Sequence, residues 1–391
     1  MGWSRVQELL DQAVANDTVP GAAAVATGRD GALEHAWAGR LRLDGDAPVG
    51  GDTMFRLMSM TKAFASVAAL QLIEQGRLEL EQQVASVLPA FGELKVLDGF
   101  DGDRPRLRAP TRQATIRQLL THTAGHGYAF SNRGLLRYHE VSGVPDPFRG
   151  LREGLHMPLV ADPGTDWNYG INTDWLGQVI EAVSGQDLAA YLAEHVFGPL
   201  GMTDTTFAPT HEQRRRMMAI HSRTKDGGLA ITDLDVPIAE PEFWPAGHGA
   251  HGTAGDYARF MAALLGEGEL DGNRILRPET VALAFSDHLA GIALPRVVES
   301  AMPELANDIP SLPFSQGWGL GFHLFTEDIP GMRRAGSGDW AGLCNCYYWL
   351  DRQSGIAVAF LTQVLPFFDQ RIIETLQAIE QATYTGIAAP A

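Results

Sequence analysis

The stretch Phe55–Gly76, FRLMSMTKAFASVAALQLIEQG, places Ser59 and Lys62 at the start of a predicted helix. Apolar residues recur behind the pair at helical spacing: Ala63, Val67, Leu70 and Ile73. Residues three apart share one face of a helix, so the lysine amine can lie beside the serine hydroxyl. Because a serine hydroxyl becomes a good nucleophile once a base takes its proton, the stretch predicts a nucleophile–base pair.

A structural reading of the same pair stays open at this point. Ser-x-x-Lys occurs by chance in long chains, and a serine near a helix start with a lysine in the first turn is common. The surrounding sequence favours catalysis, because an extended apolar segment, Thr53–Leu57, leads into a helix that looks fully buried. A lysine next to such a helix needs a polar partner.

Length and charge restrict the function. The 391 residues suggest two or three domains, or one large composite unit. Thirty Lys and Arg face 47 Asp and Glu, which gives a net charge of −17 with no basic stripe. Nucleic-acid binding is not expected, because phosphate contacts need clustered basic residues.

The N-terminal sequence, the apolar runs and the cysteines suggest a cytoplasmic protein. The first residues, MGWSRVQELLDQAVAND, predict an amphipathic helix and not a signal peptide, and no apolar run is long enough to span a membrane. The only cysteines, Cys344 and Cys346, are expected on one strand face, where they are poorly placed to pair. These features suggest a reducing compartment.

Hydrophobic periodicity predicts strands near both ends and helices between them. Two hairpins are expected, Ala22–Thr27 with Leu33–Ala38 and Leu343–Leu350 with Ile356–Leu361. Further helices are predicted over 116–121, 187–196, 256–265 and 370–384. Another helix is predicted to begin near Asn172, Thr173 and Asp174, which can cap it, and to end at Ser184-Gly185. Residues 206–246 are expected to form loops with short elements. The fold class is therefore α/β (α+β), an antiparallel sheet built from both termini with a mainly helical region inserted.

The ordered motifs resemble the serine β-lactamase and penicillin-binding-protein superfamily, and most of all its class C β-lactamase-like carboxylesterases (family VIII). The resemblance covers nearly the whole chain. It is carried by VPGAAAVATGRDG, TMFRLMSMTKAFASVAALQLIEQGRLELEQQV, IRQLLTHTAG, WNYGINTDWLGQVIEAVSG, FGPLGMTDT, HGTAGDYARFMAALL, GWGLGF and the final hairpin. This set in this order is far more specific than Ser-x-x-Lys alone.

The resemblance implies a β-lactamase/transpeptidase-like fold and assigns roles. Ser59 matches the acylated nucleophile, Lys62 its base, and Tyr169 the tyrosine that shares a proton with the lysine and delivers it to the leaving group. The sheet domain would comprise 1–57 and 245–391, and the mainly helical region 58–244, with the active site at their interface.

Two motifs depart from the family pattern. The usual Tyr-x-Asn reads Tyr169-Gly170-Ile171, with Asn172 one place later, which puts binding of a β-lactam amide in doubt. The usual Lys-Thr-Gly is missing. Trp340-Ala341-Gly342 matches the Trp-x-Gly of the esterase branch, and Gly336-Ser337-Gly338 is the competing alignment.

The preferred alignment completes the predicted site. The backbone N–H groups of Ser59 and Leu343 would form the oxyanion hole, and Trp340 and Gly342 would contact the substrate. Tyr128 would line the pocket and hydrogen-bond to Lys62 or to the substrate, with simple loop packing as the alternative. Replacing a lysine by Trp340 should favour a neutral, apolar acyl or alcohol group. The segments 129–150, 206–246 and 290–315 are expected to shape the pocket.

The predicted function is cleavage of small-molecule carboxylic esters through an acyl-enzyme, without metal or organic cofactor. Alternatives are acyl transfer to an alcohol, a β-lactamase or D-peptidase, and, least favoured, a catalytically silent scaffold. The histidines of THTAGHGY and HGAHG (His122, His126, His248 and His251) lack a third metal ligand at suggestive spacing, and His122 is interpreted as structural. Trp318, like Trp3, Trp37 and Trp244, is interpreted as packing. The oligomeric state has no signal in the sequence.

Overall fold

The two chain ends build one antiparallel sheet, as predicted. The computed structural model describes residues 2–232, 234 and 241–387. Its strands are β1 (Gly21–Gly28), β2 (Leu33–Gly39), β3 (Phe55–Arg56), β4 (Val96–Asp101), β5 (Arg104–Arg108), β6 (His221–Arg223), β7 (Leu229–Ile231), β8 (His251–Gly252), β9 (Glu269–Leu270), β10 (Asn273–Arg274), β11 (Val297–Val298), β12 (Ile309–Pro310), β13 (Gln316–Trp318), β14 (His323–Phe325), β15 (Gly338–Gly342), β16 (Cys346–Asp351), β17 (Ile356–Leu361) and β18 (Val364–Leu365). Seven of them form the main sheet in the order β13-β14-β15-β16-β17-β1-β2, so β1 from the N-terminal part pairs with β17 from the C-terminal part.

The helices lie between and outside these strands. They are α1 (Gly2–Ala15), α2 (Thr61–Glu74), α3 (Val84–Val87), α4 (Ile116–Leu120), α5 (Arg133–Ser142), α6 (Asn172–Ser184), α7 (Leu188–Leu192), α8 (His211–Arg215), α9 (Ala254–Leu265), α10 (Pro278–Ala284) and α11 (Gln370–Ile387). The helix predicted over 187–196 is present as α7, which continues into a π-helical turn, Ala193–Phe197. None of the helices in these described ranges is both long and apolar enough to cross a bilayer.

Two hydrophobic cores cover the two faces of the main sheet. On the rear face, α1 packs against α11, β2 and β1, and the same core includes Val6 of α1, Ile372 of α11 and Trp349 of β16. On the front face, α9 contacts β1 and β17, and α2 lies in the centre of the larger core. Helix α2 is buried along almost its whole length, which explains why its sequence is apolar on every side.

The strand predicted to begin at Leu343 begins instead at Cys346. Gly342 pairs with Cys346 across a tight connection, and Asn345 adopts the left-handed conformation there, with φ of +58°. Asparagine tolerates this conformation better than most residues, so the turn interrupts the apolar run. The Trp340–Gly342 motif consequently lies on a strand of its own, β15, and Cys344 lies in the turn. Both cysteines are buried and unpaired.

The cap predicted for α6 is also wrong. Asn172 is the first helical residue, Ile171 precedes it without a side-chain cap, and Gly185 ends the helix as expected. The side chains of Asn172 and Asp174 bond to other parts of the chain: the Asn172 amide lies 2.9 Å from Nδ1 of His122, and Asp174 Oδ1 accepts a bond from the backbone N–H of Gly247. These long-range partners are not visible in local sequence.

Candidate active site

Ser59 lies on a strained turn just before α2. It is the central residue of a 3₁₀ turn, Met58–Met60, and it is almost fully buried. Met58 has a φ of +49°, a conformation that costs a non-glycine residue about 1–2 kcal/mol. Full burial of the Met58 side chain holds this conformation and fixes the direction of Ser59. The serine thus precedes the first helical residue, Thr61, by two positions.

Lys62 is buried and makes three hydrogen bonds. Its Nζ donates to Oγ of Ser59 at 3.0 Å, to Oη of Tyr128 at 3.2 Å and to the carbonyl of Gly247 at 2.9 Å. An ammonium group carries three donors, so these three acceptors fix its position. The helical spacing therefore brings Ser59 and Lys62 together, and Tyr128 and Gly247 join them from distant parts of the chain.

Tyr169 lies beside the lysine but bonds to another partner. Its ring centroid is 4.7 Å from Nζ of Lys62, and its hydroxyl accepts a hydrogen bond from Nε1 of Trp340 at 3.2 Å. Among the hydrogen bonds of the described residues, the tyrosine hydroxyl that meets Lys62 is that of Tyr128. The rings of Tyr128 and Tyr169 are in edge contact, with centroids 5.1 Å apart.

The two tyrosines differ in their electrostatic surroundings. Burial, together with the nearby Asp174 carboxylate, raises the pKa of Tyr128 well above its usual value. Tyr128 therefore keeps its proton and acts as a neutral hydrogen-bonding group beside Lys62. Tyr169 lines the cavity described below, whereas Tyr128 does not.

Gly342 allows β15 to approach the serine turn. A Cβ at this position would lie 2.4 Å from the carbonyl oxygen of Leu57, so only glycine fits without a backbone shift. The approach brings Leu343 to the cavity wall that Ser59 also lines. No acceptor in the described part of the chain meets the backbone N–H of Ser59 or Leu343. Two unpaired N–H groups beside a serine can hold a developing oxyanion.

An apolar cavity of about 330 Å³ opens over Ser59. Its front wall is aromatic and comprises Phe130, Phe148, Trp167, Tyr169, Trp318 and Trp340. Trp318, interpreted from sequence as packing, does pack, with its ring 4.7 Å from that of Trp340, but it also lines the cavity. The sequence signal for this second role was the GWGLGF motif, which contains Trp318 and is one of the motifs that carry the family resemblance. Ser337, from the competing alignment, is buried away from the cavity.

Two of the three segments expected to shape the pocket contribute to it. Phe130 and Phe148 come from 129–150, and Val298 and Ile309 come from 290–315. The described residues of 206–246 contribute no lining side chain; within that segment, 233 and 235–240 lie outside the described residues. The segment instead adds β6 and β7 to a small sheet with β18.

The four histidines are buried in separate surroundings. Burial and the charge of Lys62 lower the pKa of His122 well below its usual value, and burial lowers that of His126 and of His251 to about 3. His122 bonds to Asn172 and packs on Tyr169, and His248 lies 3.1 Å from the carbonyl of Phe148. Over the described residues, no group of three or more His, Cys, Asp or Glu side chains could hold a metal ion.

Asp174 is a buried carboxylate linked to Lys62 that sequence analysis missed as part of the site. Its Oδ1 accepts the N–H of Gly247, whose carbonyl accepts from Lys62, and its Oδ2 has no partner among the described residues. Burial raises the pKa of Asp174 to about 6, and the positive charge of Lys62 opposes the rise. This carboxylate therefore adds negative charge near Lys62 at neutral pH.

The Asp174 carboxylate should make stability depend on pH. Because its pKa is higher in the folded chain than the ordinary 3.8, the stability it contributes is complete below that value and is lost as the pH rises through about 6. Asp174→Asn cannot titrate, so we expect the variant to gain stability relative to the parent between pH 4 and pH 7.5, on the order of 1–3 kcal/mol.

Urea unfolding at the two pH values measures this gain. Asp46→Asn, at an exposed position, is the matched control and should show no pH-dependent difference. A difference between Asp174→Asn and the parent that stays constant over this range would contradict the assignment.

Known proteins resemble this chain over most of its length. The family model described as Beta-lactamase matches residues 6–382. The chain belongs to the beta-lactamase family. It is 33% identical to monacolin J acid methylbutanoyltransferase of Aspergillus terreus over 353 residues, covering 86% of this chain and 83% of that protein. It is 29% identical to lovastatin esterase of Penicillium rubens, covering 86% of each chain.

The same family fold is found among solved structures. Unliganded simvastatin synthase (LovD) from Aspergillus terreus superimposes with a TM-score of 0.83 at 28% identity, over 98% of this chain and 98% of that one. The beta-lactamase/transpeptidase-like fold predicted from the motifs is therefore confirmed. These relatives are named as acyltransferases and an esterase, so the comparisons support an enzyme.

Proposed function

We propose that this protein cleaves carboxylic esters through an acyl-enzyme formed on Ser59. The observation that carries the proposal is the buried Lys62 amine, 3.0 Å from the Ser59 hydroxyl at the floor of an apolar cavity. The substrate is a small-molecule ester. No step needs a metal or an organic cofactor.

The reaction proceeds in two steps. In the reactive form Lys62 is a neutral amine. Its Nζ accepts the Ser59 proton, which the Lys62–Tyr169 pair then shares, while Oγ bonds to the ester carbonyl carbon and the N–H groups of Ser59 and Leu343 hold the oxyanion. When the ester C–O bond breaks, Tyr169 gives a proton to the departing alkoxide. Water, activated by the same pair, then attacks the acyl-enzyme and releases the acid.

The cavity selects neutral, apolar groups. Under the preferred motif alignment, Trp340 replaces the lysine that binds a β-lactam carboxylate in related enzymes, and its indole N–H donates to the Tyr169 hydroxyl. The Asn172 amide is directed to His122 and does not line the cavity. At these two positions the site therefore has neither the cation that binds a β-lactam carboxylate nor the amide that binds its side chain. This favours an ester over a β-lactam as the substrate.

Acyl transfer to an alcohol is the second candidate. Aromatic side chains cover the front of the cavity, so an apolar alcohol can occupy it and displace the water that would hydrolyse the acyl-enzyme. The relatives include both a methylbutanoyltransferase and an esterase. The same acyl-enzyme serves both reactions.

Two substrates tested side by side distinguish the candidate activities. We expect p-nitrophenyl butyrate to be cleaved rapidly, a chromogenic cephalosporin slowly, and both activities to disappear in Ser59→Ala. Adding a bulky apolar alcohol should divert product from butyrate to the butyrate ester of that alcohol if transfer dominates. Predominant cephalosporin cleavage would contradict the ester proposal. If neither substrate is cleaved, the silent-scaffold alternative gains support.

A further inference from the structure

The outer edge of β15 is only half paired. β14 pairs with β15 through His323–Asp339 and Leu324–Gly338, whereas the pairing of Trp340, Ala341 and Gly342 is with β16 on the other side. In the described ranges, therefore, the last three residues of β15 form a free edge beside Ser59. A ligand can pass round such an edge from one face of the sheet to the other.

The cavity does continue round this edge. Trp340 packs with the front core, and Ala341, the next residue, packs with the rear core that includes Tyr347 and Trp349. One continuous cavity is lined by both residues and reaches from Ser59 to α11. We call its second part the rear groove; its walls include Ile329, Met332, Ala341, Tyr347, Phe368 and Leu376.

The charges at the rear groove are already paired. The Arg333 guanidinium binds Glu380 through two hydrogen bonds of 2.7 and 2.9 Å and also binds Asp339. Asp339 in turn lies 2.6 Å from Nδ1 of His323. With these charges paired among themselves, the groove suits a neutral apolar chain better than an ion.

Proton transfer decides which part of an ester points towards the groove. The leaving oxygen must approach Tyr169, which lies at the front against Trp340, so the alcohol portion occupies the aromatic front. The acyl portion then leaves the carbonyl carbon in the other direction, along the free edge of β15. We propose that the rear groove binds the distal part of an extended alkyl acyl chain, and this inference rests on the ester proposal above.

Chain length provides the test. With p-nitrophenyl esters from acetate to decanoate, kcat/KM of the parent should rise with length beyond butyrate. Leu376→Trp fills the groove from α11 and should lower kcat/KM for decanoate at least tenfold while leaving butyrate within twofold. Met332→Trp fills it from the opposite wall and should do the same. Glu374→Trp, at an exposed position on α11, is the matched control and should follow the parent.

Equal losses for butyrate and decanoate, or a parent rate that does not rise beyond butyrate, would overturn the proposal. A second measurement shows whether the rear-groove proposal fails by itself or because the ester proposal is wrong. Calorimetry with 2-decanone and 2-hexanone needs no turnover; the parent should bind the longer ketone at least tenfold more tightly, and Leu376→Trp should lose that preference. Equal affinities in the parent would refute the groove assignment even if esters are cleaved.

Discussion

Lys62→Met is expected to lower kcat for p-nitrophenyl butyrate by about 10³-fold or more. Methionine is close in length to lysine but cannot take the Ser59 proton. The Tyr128 hydroxyl and the Gly247 carbonyl also lose the donor that Lys62 provides. Steady-state kinetics at saturating ester measures the effect.

The chain offers a matched control for this substitution. Lys95 is exposed and does not line the cavity, so Lys95→Met should leave kcat within twofold of the parent. Circular dichroism and urea unfolding verify that Lys62→Met is folded. A folded Lys62→Met variant that keeps more than a tenth of the parent kcat would rule out Lys62 as the base.

The second large effect is a difference between two neighbouring tyrosines. Tyr169→Phe removes the hydroxyl that is proposed to protonate the leaving group, so kcat should fall by about 10²–10³-fold. Tyr128→Phe removes one of the three acceptors around Lys62 and should cost roughly tenfold. The difference arises because Tyr169 reaches the cavity, whereas burial keeps Tyr128 neutral and away from it.

Kinetics of the two variants with esters of different leaving groups test whether Tyr169 or Tyr128 protonates the leaving group. Loss in Tyr169→Phe should grow as the leaving alcohol becomes more basic, because a poor leaving group depends more on protonation. The loss in Tyr128→Phe should be the same for every leaving group. If instead Tyr128→Phe is the more damaging and the more sensitive to the leaving group, Tyr128 is the proton carrier that the family pattern assigns to Tyr169.

Local periodicity made much of the fold predictable. The apolar runs of β1 and β2 and the helical spacing of α2 and α11 place apolar side chains in two cores, and each pattern repeats within a few residues. The Ser59–Lys62 contact was predictable for the same reason, since both residues lie within one turn. Strand β15 was not separated from β16, because the tight turn between them contains apolar residues.

Long-range contacts were the part of the site that local sequence patterns do not encode. Gly247 is separated from Lys62 by 185 positions and Tyr128 by 66, and nothing in the local pattern joins them. Asp174 was interpreted as a helix cap because its residue type and its position at the helix start are typical of a cap. In the structure its carboxylate instead accepts the backbone N–H of Gly247, 73 positions away. The rear groove depends on where β14 stops pairing with β15, which no short motif encodes.

The central claim is that Ser59 is the nucleophile, activated by Lys62. Mass spectrometry of the protein after reaction with a p-nitrophenyl alkylphosphonate tests it most directly, since the reagent stops at the covalent step. We predict one adduct, on the peptide that contains Ser59, absent in Ser59→Ala, strongly slowed in Lys62→Met and unchanged in Lys95→Met. A folded parent protein that forms no adduct, or forms it on another residue, would contradict the assignment of Ser59 as the nucleophile.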